Sequence, residues 1–143
     1  MTEITTSYIT KQGRTARPEL ETAISEITAK AQAQLTLPGT IELVILLDVK
    51  AADTQENGVY LHKGAYKIVN GKYQGRTNTP TIQIACIDRT VRQIRWTLAH
   101  EFGHAEHFAT QPESGSWETS RQERYANRTA ERICHYGVYV PAE

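Results

Sequence analysis

The stretch from Ile41 to Val49, IELVILLDV, constrains the fold more than any other part of the chain. A strand with one wet face alternates apolar and polar residues. This one is nearly continuous aliphatic, which suits a strand buried on both faces. With 143 residues the chain fits one domain, large enough to bury a real core. Residues 1–16 read as a polar, Thr-rich lead-in, loose or partly extended, and residues 17–143 as a single domain.

The elements around that strand follow from periodicity. A first helix begins near Pro18, a residue suited to the first helical position, with Glu19 and Glu21 favourable in the first turn. Leu20, Ala23, Ile24, Ile27, Ala31 and Leu35 recur at helical spacing, and Pro38-Gly39 ends the run. After the aliphatic strand, residues 50–58 are polar, with Asn57-Gly58 marking a turn. Val59 to His62 and Ala65 to Val69 are short strand candidates, and Asn70-Gly71 is a hairpin signal. Gly75 to Pro80 reads as a loop. Thr81 to Ile87 alternates as a strand, with Ile82, Ile84 and Cys86 on one face and Cys86 a small core hydrophobe. Two helices complete the chain, one over about 89–109, capped by Asp88 or Thr90, and one over about 120–136. Gln111 to Ser116 connects them, and Val138 to Glu143 reads as a tail. The expected class is α+β, with a small mixed sheet.

Charge and cysteine content exclude several functions. Sixteen basic and sixteen acidic residues cancel, so no net charge draws the chain to nucleic acid or a membrane surface. Two cysteines do not make a disulfide framework and suggest a reducing compartment. The first residues carry an early acid and no apolar core, unlike a signal peptide, and no apolar run approaches bilayer-spanning length. The expectation is a soluble, cytoplasmic protein.

Chemistry enters at His100-Glu101-Phe102-Gly103-His104. On a helix, residues i and i+4 share a face, so both imidazoles can address one metal ion. Glu101 lies roughly 100° round the helix, where it can reach a metal-bound water without ligating the metal. Val91, Ile94, Leu98, Phe102, Ala105 and Ala109 fall within roughly an 80° arc, on the side away from both histidines. A histidine packed in the core would sit in that stripe, and these two do not.

A zinc site with two histidines from one helix needs a third protein ligand and an open fourth position. His107 lies about 10 Å along the helix axis from His100, too far to share one ion with both, and reads as a cleft or surface residue. The extended metzincin pattern also fails, since His107 stands where it requires Gly and Thr110 where it requires His. The ligand is therefore expected from the last helix. Glu118, Glu123, Glu131 and His135 are candidates there, with Glu123 best placed, on the side of Ala126, Asn127 and Ala130. Small alanines would allow close helix approach, and Asn127 could hydrogen-bond a ligand. Ser120 and Glu123 also form a capping box, so ligand and cap compete for that carboxylate, while Thr119 with Gln122 offers a second box that leaves it free.

His100-Glu101-Phe102-Gly103-His104-Ala105-Glu106-His107, followed by Glu123-Arg124-Tyr125-Ala126-Asn127-Arg128-Thr129-Ala130, resembles the ImmA/IrrE-type metallopeptidase family. That family pairs a His-Glu-x-Gly-His helix with a downstream Glu-x-x-Ala-Asn-x-x-Ala helix. The resemblance covers mainly the last third of the chain. Thr129 departs from it where an aromatic is usual, and so does the ending Cys134-His135-Tyr136-Gly137, but neither touches a ligand. It implies a zincin-like, gluzincin-like fold, zinc held by His100, His104 and Glu123, and Glu101 as general base. It also implies regulatory proteolysis, often of transcriptional repressors in mobile elements or phages.

On this reading the strand near 81–87 is a sheet edge beside the cleft that pairs with an extended peptide. Tyr66, Tyr73, Tyr125 and His62 are candidate oxyanion donors. Arg121, Arg124, Arg128 and Arg132 form a stripe on the last helix, either a solvated face or a strip for nucleic acid or an acidic protein. The strip would suit a SprT-like protease acting on DNA-bound proteins. A third reading is a metal-binding or interaction module without peptidase activity. The intact Glu101 argues against it, since a retired site has no need of the base.

Overall fold

The aliphatic segment lies inside a four-stranded sheet, and the order of strands around it determines what reaches the candidate site. The computed structural model describes residues 2–49, 57–69, 72–111 and 119–136. Their order is β1 (Glu3–Ile9), α1 (Pro18–Gln34), β2 (Thr40–Leu46), β3 (Gly58–Leu61), β4 (Tyr66–Val69), β5 (Lys72–Arg76), β6 (Thr81–Ala85), α2 (Val91–Thr110) and α3 (Thr119–Cys134). The main sheet runs β1-β2-β6-β3, with β1, β2 and β6 parallel and β3 antiparallel to β6. Strands β4 and β5 pair separately as an antiparallel hairpin. The chain is thus α+β, with three helices and a small mixed sheet among the described residues.

Strand β2 is apolar and buried from Leu43 to Leu46, with both faces covered there. Ile41, Leu43 and Ile45 join Ile82 and Ile84 of β6 under the helices, while Val44 and Leu46 cluster with Val49, Ala85 and Ile9 on the opposite face. Helix α1 buries the expected stripe of Leu20, Ala23, Ile24, Ile27 and Ala31, and Leu35 follows it into the core. Cys86 packs at the margin of the same cluster, and burial pushes its thiol up to about 11, as expected of an inert core thiol.

Two sequence expectations are corrected. The lead-in contains a regular strand: β1 pairs with β2 along its whole length, from Glu3 opposite Thr40 to Ile9 opposite Leu46. Its Thr-rich sequence suits an outer strand with mostly exposed side chains. The strand near 81–87 is not an edge. Strand β6 lies between β2 and β3 with all five residues buried, and β3 is the outer strand. Smaller differences are that β5 runs to Arg76, into the expected loop, and that α2 and α3 each shift by a residue or two. Residues 70–71, where the hairpin turn was expected, lie outside the described residues, as do most of 50–58 and 111–116 and all of the 138–143 tail.

Helix α2 starts at a complete capping box. Thr90 Oγ1 accepts from the Gln93 amide at 3.1 Å, and the Gln93 side chain accepts from the Thr90 amide at 2.9 Å. Its burial is wider than the apolar stripe: Ile94, Leu98, Phe102 and Ala105 face the core, but Gly103, Glu106 and His107 are buried as well, and Ala109 is exposed. The extra cover comes from α3, which lays Ala126, Thr129, Ala130 and Ile133 into the interior. A Cβ at Gly103 would stand 2.8 Å from Ala126 Cα and 2.9 Å from Thr129 Cβ, so only glycine permits this approach. The Glu106 carboxylate ties three elements together, accepting from Tyr125 Oη at 2.5 Å and from the Thr36 amide, just past α1, at 2.6 Å. No helix among the described residues is long and apolar enough to cross a membrane.

Alanine in place of glycine normally strengthens a helix interior. At Gly103 the added methyl meets backbone, and overpacking of this kind costs about 1–3 kcal/mol. Gly103→Ala is therefore expected to lower the urea midpoint of unfolding. An unchanged or raised midpoint would contradict the backbone contact.

Candidate metal centre

Helix geometry brings His100 and His104 together one turn apart on α2, with ring centroids 4.8 Å apart and planes nearly perpendicular at 82°. Their Nε2 atoms are 3.1 Å apart. Across the Gly103 contact, α3 supplies Glu123, whose Oε1 is 3.1 Å from His104 Nε2 and whose Oε2 is 3.1 Å from His100 Nε2. The carboxylate therefore spans both imidazoles. Among the described residues these three make up the group of His, Cys, Asp and Glu side chains placed to hold a metal ion.

Protons alone do not satisfy this triangle. It has three short edges, an ionised carboxylate only accepts, and each ring nitrogen carries at most one proton. Two N–H groups can serve two edges, and the third is then left as a contact between like dipoles. A cation at the centre satisfies all three at once. The spacing also fits, since ligands about 2.0–2.1 Å from a tetrahedral zinc lie roughly 3.3 Å from one another.

The electrostatics favour open lone pairs. Burial lowers the His100 pKa from its ordinary 6.5, against the opposing pull of Glu123 and a hydrogen-bonding contribution from Asn127. Burial lowers that of His104 too, aided by the neighbouring His100 and opposed by Glu123. Both shifts favour the neutral ring, the form a metal requires. Trp96 stacks against the His100 ring at 5.2 Å and is itself anchored by its Nε1 donating to the Tyr136 carbonyl at 3.2 Å. Nδ1 of His100 is buried without a hydrogen-bond partner among the described residues.

Glu101 is buried, only 6% exposed, and lines a cavity of about 440 Å³ together with His104 and Glu123. The far wall of this cavity is β3, through Gly58, Tyr60 and the following His62. Gly58 matters here for a steric reason. A Cβ would meet Thr97 Cγ2 at 2.8 Å and Glu101 Cγ at 3.2 Å, so the strand lies directly against the glutamate. His62 stacks on Phe108 with centroids 5.0 Å apart and an interplanar angle of 6°. Burial pushes the Tyr60 phenol up to about 12, so it stays protonated, and its hydroxyl has no hydrogen-bond partner among the described residues.

The structure sorts the remaining candidates. His107 is a buried cavity-wall residue, 2% exposed and packed on the Tyr125 ring at 4.9 Å, so the surface alternative for it falls away. Glu131 and His135 are exposed and take no part in the cluster, and Glu118 lies outside the described residues. Of the oxyanion candidates only His62 reaches the cavity. Tyr66 and Tyr73 are exposed on the hairpin, and Tyr125 is engaged by Glu106. Arg121, Arg124, Arg128 and Arg132 are all exposed on α3. Tyr60 was not singled out from the sequence, and Gly58 was read only as part of a turn. Strand alternation from His62 would have pointed to residues 60 and 58. Gly103 is a free position of the His-Glu-x-x-His pattern but the fixed glycine of the His-Glu-x-Gly-His motif, which names it without giving its steric reason. Comparison with protein-family models, with curated proteins and with solved structures gives no match.

The lowered histidine pKa values set a pH dependence for the metal-free protein. Well above 6.5 both folded and unfolded states hold neutral rings and nothing changes. As pH falls below 6.5 the unfolded chain takes up protons that the folded site refuses, so stability falls until the lower folded pKa is reached. Chemical denaturation of metal-free protein is expected to show a declining midpoint through this window. In His100→Gln/His104→Gln the decline should flatten, and an equal decline would contradict the assignment.

Proposed function

We propose that the protein is a zinc-dependent metallopeptidase with a zincin-like site, using His100, His104 and Glu123 as ligands and Glu101 as general base. The observation that carries this reading is the 3.1 Å triangle of donor atoms with the Glu101 carboxylate on the wall of the same cavity. Bound there, zinc would supply a Lewis acid and bring the pKa of a bound water down to about 7.

The chain's own residues supply the rest. Glu101, outside the ligand triangle and buried, is positioned to accept a proton from a water in the cavity and return it to a leaving amine. Its burial and the close passage of Gly58 hold it in one place. The substrate class follows from the outer strand. Ala85 donates to the Asn57 carbonyl at 2.9 Å, so by strand alternation the backbone groups of 57, 59 and 61 face β6, while those of Gly58 and Tyr60 face the outer edge, which pairs with no other described strand. An extended peptide can pair there, the role first expected of the strand near 81–87 and here carried by β3. Regulatory cleavage of a repressor, as the ImmA/IrrE resemblance implies, belongs to the same proposal.

Glu101→Gln is expected to keep its metal and to lose roughly 10²–10⁴-fold in peptide cleavage. Metal analysis alongside cleavage of an unstructured protein checks this. Cleavage unchanged in the variant, or wild type that holds zinc and cleaves nothing, would sink the peptidase reading. Edge pairing is tested from the substrate side. Methylating a peptide nitrogen that pairs with β3 should reduce kcat/KM by about tenfold, the worth of one hydrogen bond. A scan in which no single methylation has this effect would contradict it.

A further inference from the structure

A second cavity, of about 450 Å³, shares no lining residue with the first. It opens at the carboxyl ends of β1, β2 and β6, between the loop that leads into α1 and the loop that leads into α2. Arg14, Arg17 and Arg89 line it, with Leu20, Leu47 and Ile94 forming an aliphatic wall. Of the acids, only Asp88 is part of the lining.

Three features make this more than a basic surface. Nη1 of Arg89 is buried and, among the described residues, has no hydrogen-bond partner, an expensive state for a guanidinium unless something else satisfies it. Burial lowers the Arg89 pKa, in keeping with a charge held away from water. The loop carrying Arg14 is also fixed in place. Asp48 accepts from Thr10 Oγ1 at 2.8 Å and from the amides of Lys11 and Gln12 at 2.6 and 2.9 Å, and the Arg14 amide donates to Thr10 Oγ1 at 2.9 Å. Asp48 does face Arg14 electrostatically, but its oxygens are already taken by this loop. The first turns of two long helices, α1 after Arg17 and α2 after Thr90, lie at the same place and add favourable dipoles for an anion.

We infer that this cavity binds a small phosphate monoester, its phosphate held by Arg14, Arg17 and Arg89 and its apolar body resting on Leu20, Leu47 and Ile94. Guanidinium forks match phosphate oxygens, and three of them favour a doubly charged group over a carboxylate. The site is separate from the catalytic proposal. Thr90 and His100 are ten residues apart on or beside one helix, about 15 Å along its axis.

Calorimetric titration of the intact protein with phenyl phosphate, at fixed ionic strength, tests this. Benzoate serves as the carboxylate of similar body and inorganic phosphate as the bare anion. Saturable binding of phenyl phosphate, tighter than either control, is the expected result. Affinity should fall by roughly tenfold or more in Arg89→Gln and in Arg14→Gln/Arg17→Gln. Arg14 and Arg17 are exposed, so the double variant leaves the core intact. No saturable binding, equal affinity in the double variant, or benzoate binding as tightly would overturn the inference. So would binding lost in His104→Ala, which would place the probe in the first cavity.

Discussion

The contact between Gly103 and Ala126 governs the candidate site. His100 and His104 are a matter of helix periodicity and would be adjacent on any helix. Glu123 comes from another element, and its carboxylate reaches both rings only because α2 and α3 touch at the backbone. Alanine at 126 and 130 and threonine at 129 keep the facing helix low, and the Glu106–Tyr125 bond holds the two helices in register. One missing methyl thus permits a three-donor triangle that two protons cannot satisfy.

Opposition across the cavity is the second constraint. Strand β3 is the outer strand of the sheet and passes against Glu101 at Gly58. Glu101, His104, Glu123 and strand β3 therefore line one cavity. An extended chain paired to β3 would lie along the wall opposite the histidines, which is the relation peptide hydrolysis requires. The second cavity lies at one end of the same sheet, where parallel strands stop and two helices begin.

What the sequence disclosed divides by range of interaction. The three helices were legible because their stripes repeat over many turns, and Glu123 was found because small residues follow it at helical spacing. Ile82 and Ile84 were placed on one face by alternation alone. Strand β1 was missed because EITTSYI carries no aliphatic pattern, and its regularity comes entirely from pairing with β2. Strand order was misjudged for a similar reason. Alternation in 81–87 says which residues share a face, but nothing local says that β3 will pair outside it. Gly58 was read as a turn and Gly103 as a motif glycine, but not for packing, because a glycine's packing role lies in what its absent side chain would have struck.

The central claim is that one metal ion is held by two imidazoles of α2 and one carboxylate of α3. X-ray absorption at the zinc edge, on protein loaded with one equivalent of zinc, reads that ligand set directly. The account predicts two histidine nitrogens and light oxygen donors at about 2.0–2.2 Å, with the protein carboxylate contribution lost in Glu123→Ala. A spectrum with one histidine or three, or one unchanged by Glu123→Ala, would contradict it.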